Sequence, residues 1–240
     1  MNKNYACICI IQKKSVPLPP IMIRKSGIIV PEGCDSVLLH ACCAPCSSAI
    51  VEWLLAHEIT PVIFYYNPNI YPFEEYEIRK NESKRHADSL GIEWIDEDRF
   101  RTGASRPCGY DEMHASWRHS VSGLEQEPER GKRCEECFYH RLFVTARKAQ
   151  ELDIEYFATT LASSRWKNLD QVNAAGLKAE QMVNRYPADS IVREPVHFWA
   201  QNWRKDGLQE RRNQLLKEYA FYNQTYCGCE FSMTPRQAKE

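Results

Sequence analysis

Residues 36–48, "SVLLHACCAPCSS", join a short apolar run to three cysteines within five positions, Cys42, Cys43 and Cys46. The run reads as a buried strand. From Pro45 to His57 the chain reads as a helix, with Ala49, Ile50, Trp53, Leu54 and Leu55 on its apolar side. A strand entering a helix through a tight connection is the first half of a βα unit. Thiols this dense at the connection point to chemistry rather than packing.

Working outward, the alternation continues. "TPVIFYYNPN" (60–69) is a second strand stopped by a turn signal, and Phe73 to Leu90 a charged helix ended by Gly91. "IEWIDE" (92–97) is a third strand, Tyr110 to Val121 a helix, and "CEECFYHRLFVTARKAQELD" (134–153) a strong helix after a polar loop. "IEYFATTLA" (154–162) is a fourth strand. Asn168 to Asn184 and Gly207 to Tyr222 complete the helices. Residues 1–34 carry four prolines and no sustained period. They read as a poorly structured extension, with "PIMIRK" and "GIIVPE" as a candidate hairpin. The expected organisation is an extension over 1–34, one α/β domain over 35–232 and a tail over 233–240. Strands alternating with helices imply a Rossmann-like (HUP-type), mainly parallel sheet with flanking helices. Such sheets bind ligands beyond the carboxyl ends of their strands, where "HACCAPC" lies.

Net charge is −1, from 31 basic and 32 acidic side chains, so global charge gives no sign of a nucleic-acid binder, although a local patch could serve one. Eleven cysteines at uneven spacing do not form a secreted disulfide framework. No segment reads as a signal peptide or membrane span. The expected compartment is the cytoplasm, where clustered thiols serve metal or redox chemistry. No phosphate-binding loop or dinucleotide fingerprint is present.

Three thiol groups stand out: Cys42-Cys43 with Cys46, Cys134-x-x-Cys137, and Cys227-Gly228-Cys229. Helix starts favour thiolate, the form that binds metal. Cys42, Cys43, Cys134 and Cys137 would suit zinc or a [4Fe–4S] cluster. Adjacent cysteines favour the cluster, because neighbouring thiolates can ligate different irons. Cys227 and Cys229 can close only a small, strained and therefore reducible disulfide, with Gly228 giving backbone freedom. They read as a redox-active dithiol, or as further ligands. Cys7, Cys9, Cys34 and Cys108 read as incidental or structural thiols. His40 could orient a ligand or donate a proton, or be a core histidine. Asp111 could be a ligand or acid, or a surface cap. Arg204, Lys205, Arg211 and Arg212, interleaved with Trp199 and Trp203, could hold a nucleotide phosphate and base. The run Arg79, Lys80, Lys84, Arg85 is the rival basic face.

"HACCAPCSS", "FYYNPNIYPFEEYEIR", "GLEQEPERGKRCEECFYHRL" and "YCGCEFS" occur in that order between Val37 and Ser232. Together they resemble the QueH family of epoxyqueuosine reductases. The resemblance implies the last step of queuosine synthesis in tRNA: reduction of an epoxide to a cyclopentene with loss of water, without cobalamin. It places cluster ligands on Cys42, Cys43, Cys134 and Cys137 and the redox pair on Cys227 and Cys229. Some members carry one additional iron, with an aspartate in a CC-x-x-D register; Cys46 stands there here. An iron with a free site can act as a Lewis acid on the departing oxygen. The expected partners are tRNA carrying epoxyqueuosine and an electron donor that the motifs do not name. Two other classes compete. A zinc-stabilised tRNA-binding module would be colourless, and a thiol–disulfide oxidoreductase would need only Cys227 and Cys229.

Overall fold

The computed structural model describes residues 27–97, 109–186 and 193–233. Cys7, Cys9, Cys108, "PIMIRK" and residues 234–240 lie outside them. Five strands form one sheet: β1 (Ser36–His40), β2 (Thr60–Tyr65), β3 (Trp94–Asp96), β4 (Tyr156–Thr159) and β5 (His197–Phe198). Their order is β3-β2-β1-β4-β5, and every pairing is parallel. The expected α/β architecture is therefore present, as a fully parallel sheet. β1 is central and carries Val37, Leu38 and Leu39 with no exposure. A continuous apolar run is what a strand covered on both faces requires.

Among the described residues, six helices flank the sheet: α1 (Ala44–Ala56), α2 (Phe73–Leu90), α3 (Gly109–Ser120), α4 (Lys132–Glu151), α5 (Leu169–Arg185) and α6 (Leu208–Glu218). α1 packs against α2 and α6, and α4 against α3 and α5. The chain moves outward from β1 to β2 and β3, then returns to place β4 on the other side of β1. Right-handed crossovers then put the helices on opposite faces and open a crevice where β1 and β4 diverge.

Local signals explain most boundaries. Gly91 ends α2 in the left-handed conformation at φ 67°. Asn168 caps α5 through Oδ1, which accepts from the N–H groups of Asp170 and Gln171. Gly176 in α5 lets β5 approach, since a Cβ there would lie 2.3 Å from the Phe198 ring. α6 stops at Glu218, short of the expected Tyr222, and Ala220 turns to φ 49°. β5 was not foreseen.

Within the expected extension, residues 27–34 dock on the domain. Ile28 is buried, its N–H donates to Asp206, and the Trp199 indole donates to the Ile29 carbonyl at 3.0 Å. "GIIVPE" forms no strand. Among the described residues no helix is long and apolar enough to cross a membrane.

Candidate metal and redox centre

β1 ends at His40 and α1 begins at Ala44, so the cysteines occupy the turn at the crevice. Cys43 is the N-cap of α1. The sulfurs of Cys42, Cys43 and Cys46 lie within 4.8 Å of one another, all buried, with Cys42 and Cys43 3.8 Å apart. Cys46, one helical turn on, is brought in by the helix itself. Thr160, at the end of β4, accepts from the Cys42 N–H at 3.1 Å and donates to its sulfur at 3.3 Å. Hydrogen bonds from Cys43 and Cys46, then the Arg141 charge and Thr160, hold the Cys42 thiol well below its ordinary pKa. Its neighbours are pushed up, Cys46 to about 12.

Arg141 is buried on α4 and donates to Asn67 Oδ1, whose amide donates to the Ala41 carbonyl at 2.9 Å. A cation from one helix thus braces the strand end that carries the thiols. Asn67, from the "NPN" stop, is fully buried and structural as well as turn-forming.

Cys134 and Cys137 sit in the first turns of α4. They are not among the converging sulfurs of the trio. They line a small cavity of about 20 Å³ together with Cys227 and Cys229. A larger cleft of about 650 Å³ adjoins it and is lined by Cys42, Cys46 and Cys227 among others. Glu129, Arg130, Arg141, Trp166, Lys167 and Cys227 border both spaces. Arg130 adopts φ 70°, which aims its N–H at the Cys134 sulfur, 3.2 Å away. Burial nevertheless raises the Cys134 pKa.

The C-terminal segment folds back over the cleft. Gln224 donates to the Cys43 sulfur at 3.3 Å. Buried Arg79 donates to the carbonyls of Tyr226 and Cys227, and its Nε to Glu75 at 2.7 Å. The Gly228 carbonyl accepts from the Tyr71 N–H at 2.9 Å. Gly228 has φ 99°, and a Cβ there would meet Ile70 at 2.8 Å, so both conformation and space require glycine. Cys227 and Cys229 are free thiols. The Cys229 thiol and then Lys167 hold Cys227 well below its ordinary pKa, while Cys229 is pushed up.

The remaining candidates have definite places. The His40 ring is fully buried and bonded on both sides. Nε2 donates to the Tyr66 carbonyl at 3.1 Å and Nδ1 accepts from Thr159 at 2.8 Å. Burial lowers its pKa to about 3, so it is a neutral core residue with no nitrogen left for a metal. Asp111 is exposed in the first turn of α3. Arg211 makes a two-pronged ion pair with Glu52, at 2.7 and 2.9 Å, and meets Glu218 at 2.9 Å. Arg204 donates to the carbonyls of Ser164 and Lys167, and Lys205 is exposed. Of these four cations only Arg212 lines the cleft. Trp199 and Trp203 are buried against Trp53 and offer no face to a base. That corrects the expectation of a stacking pair there. In the rival run, Arg79 pairs with Glu75, Lys80 with Asp96, Lys84 with Asp88 and Arg85 with Glu82. Cys34 is buried, with its pKa raised to about 11 by burial and then Asp35.

Comparison with known proteins identifies the family. The family model "Epoxyqueuosine reductase QueH" matches residues 37–235. The chain is 40% identical over 204 residues to the epoxyqueuosine reductase QueH of Acinetobacter baylyi, covering 85% of this chain and 83% of that one. The Haemophilus influenzae protein of the same name is 39% identical, covering 85% and 74%. That of Thermotoga maritima is 31% identical, covering 85% and 93%. With its cysteines gathered where β1 and β4 part, and this similarity running from β1 past the second cysteine of the CxC pair, the chain belongs to the epoxyqueuosine reductase QueH family.

Proposed function

We propose that this oxidoreductase reduces epoxyqueuosine in tRNA to queuosine, with Cys42, Cys43, Cys134 and Cys137 holding a [4Fe–4S] cluster and Cys227 and Cys229 acting as its redox pair. The observation that carries the reading is a cationic cleft, large enough for a nucleoside, that exposes thiols from the β1 turn and from the CxC segment. The converging sulfurs of Cys42, Cys43 and Cys46 are buried, a donor type that suits a thiophilic metal or cluster, and Cys134 and Cys137 line the adjoining cavity. When bound, the cluster supplies electrons singly at low potential. Cys46 occupies the CC-x-x-D position beside Cys42 and is the candidate ligand for an additional iron.

The chemistry balances. Converting an epoxide to an alkene takes two electrons and two protons, and the oxygen leaves as water. Oxidation of the Cys227/Cys229 pair to a disulfide releases two electrons and the Cys229 proton, and the second proton needed to release water comes from solvent, to which Cys227 has already lost its own. The pair is arranged for that exchange: the Cys229 thiol and then Lys167 lower the Cys227 pKa, while the Cys229 pKa is pushed up by its hydrogen bond with Cys227 and by burial. Arg79 and the Tyr71 N–H hold the segment at the cleft. A separate donor must return the electrons for the next turnover.

One observation favours a second reading. The 3.8 Å between the Cys42 and Cys43 sulfurs is close to the edge, about 3.8 Å, of a tetrahedral site built on zinc–sulfur bonds of about 2.3 Å. Anaerobic purification followed by iron, sulfide and zinc analysis with a visible spectrum separates the two. The cluster reading expects about four irons and four sulfides per chain, and a Cys134→Ser variant that loses them. A colourless protein with stoichiometric zinc, or full iron retention in that variant, refutes the ligand set. The substrate reading fails if reduced, metallated enzyme leaves epoxyqueuosine tRNA unchanged.

A further inference from the structure

Trp166 is 78% exposed, more than any other described aromatic side chain noted as exposed. An indole left in water forgoes a large apolar burial, and this one stands at the thiol-lined cleft. Its loop is well held. Arg204 donates to the carbonyls of Ser164 and Lys167 at 2.6 and 2.8 Å, and Arg130 donates to the Trp166 carbonyl at 2.9 Å. The Trp166 N–H donates to Ser164 Oγ at 3.3 Å. The backbone is pinned on both sides while the ring stays out, so a ligand stacking on it meets little ordering cost in the loop. The loop follows β4 at the crevice, and Trp166 borders both thiol-lined spaces.

The surrounding charge specifies the partner. The cleft is lined by six cations (Arg79, Arg130, Arg141, Arg165, Lys167, Arg212) and one carboxylate, Glu129, in a chain of net charge −1. Arg165, Lys167 and Arg212 take no part in the ion pairs found among the described residues, whereas Arg79 and Arg211 do. Cations outside the ion pairs and beside an exposed indole match a polyanion with unpaired bases: aromatic faces take the bases and cations the phosphates.

We propose that the loop after β4 presents Trp166 as a stacking platform for an unpaired nucleobase of the substrate RNA, with Arg165, Lys167 and Arg212 receiving the adjoining phosphates. This rests on the tRNA reading above. It moves the RNA face from Arg204 and Arg211, which staple the loop and α6, to the rim of the cleft.

The test uses metallated enzyme with epoxyqueuosine tRNA and the variants Trp166→Ala, Trp166→Phe and Arg165→Gln. Trp166→Ala should raise Kd and KM roughly 5- to 150-fold, the equivalent of about 1–3 kcal/mol of base stacking. Its kcat, metal content and visible spectrum should match wild type. Trp166→Phe should recover most of the loss, which a purely steric role would not require. The log–log salt dependence of binding should be unchanged in Trp166→Ala and shallower by about 0.7 in Arg165→Gln. Wild-type affinity and KM in Trp166→Ala, or no recovery with Phe, overturns the proposal. So does a defect confined to turnover driven by a protein electron carrier and absent with a chemical reductant, since the face would then belong to the donor. A wild-type enzyme that binds no tRNA overturns both readings; a binding wild type with an unaffected Trp166→Ala overturns this one alone.

Discussion

Arg211 provides a sharp separation of structural from RNA-binding charge. Its guanidinium grips Glu52 with two hydrogen bonds, at 2.7 and 2.9 Å, and so clamps α6 to α1. The Glu52 side chain is only 6% exposed, against 26% for Arg211. Arg211→Ala therefore strands a buried carboxylate. Removing one partner of a fully buried pair costs about 3–5 kcal/mol. The partial exposure of Arg211 lowers this to about 2–4 kcal/mol, or roughly 4–16 °C in Tm for a domain of this size. Thermal melts at pH 7 on the same metal-loaded preparation read the loss. Adding Glu52→Gln to the variant should restore a substantial part, because no buried charge then lacks a partner. In tRNA binding, the salt dependence should be unaltered, since Glu52 and Glu218 already balance Arg211. A Tm shift under about 2 °C would mean that the pair behaves as an exposed one. A shallower salt dependence would put Arg211 on the RNA.

Three further outcomes follow from particular contacts. In reduced, metal-loaded enzyme at pH 7, iodoacetamide should label Cys227 at least about tenfold faster than Cys229, since only the first has its pKa lowered; equal rates by mass spectrometry would remove the assigned order. His86 has its pKa lowered to about 4 by burial and then by Arg85, so between pH 6.5 and 4 the unfolded chain binds a proton that the folded one refuses. Stability should fall as pH drops through that window, by about 3 kcal/mol at pH 4, and the fall should be smaller in His86→Phe in urea titrations. Gly176→Ala would drive a methyl into the Phe198 ring, and should cost about 1–3 kcal/mol by urea midpoint unless β5 shifts to admit it.

The elements carried by long-range hydrophobic pattern were readable from sequence, because burial on a parallel sheet writes itself as continuous apolar runs. Val37 to Leu39 is an example, whereas the charged helix from Phe73 to Leu90 was readable from the glycine that ends it, Gly91. β5 was not readable, since two residues after a proline carry no period. The thiol groups were visible as spacing, and the sheet order explains why Cys42, Cys43 and Cys46 sit together at the crevice. Their supports were not visible. Arg141 and Asn67 are 74 residues apart, and Thr160 meets Cys42 from 118 residues away. Trp199 and Trp203 looked like a base-stacking pair because composition cannot tell a buried indole from an exposed one. "RWK" at 165–167 did carry a local signal, an aromatic between two cations in a strand-to-helix turn.

Charge misled for a related reason. A basic residue in a sequence shows no partner, yet partnership decides its role. Glu52 lies 159 residues before Arg211 and removes that arginine's charge from any encounter with phosphate. The run from Arg79 to Arg85 is likewise matched by Glu75, Asp96, Asp88 and Glu82. Of the cations outside these ion pairs, Arg165, Lys167 and Arg212 line the cleft, where low-dielectric walls focus their field. On the proposed reading, a chain near neutrality avoids indiscriminate attachment to RNA and still draws one splayed nucleotide to the thiol-lined cleft. Few phosphates need to be neutralised for this, so the salt dependence of productive binding should correspond to about two to four contacts rather than to the whole tRNA backbone. A much steeper dependence would mean that RNA is held across a wider surface than the cleft rim.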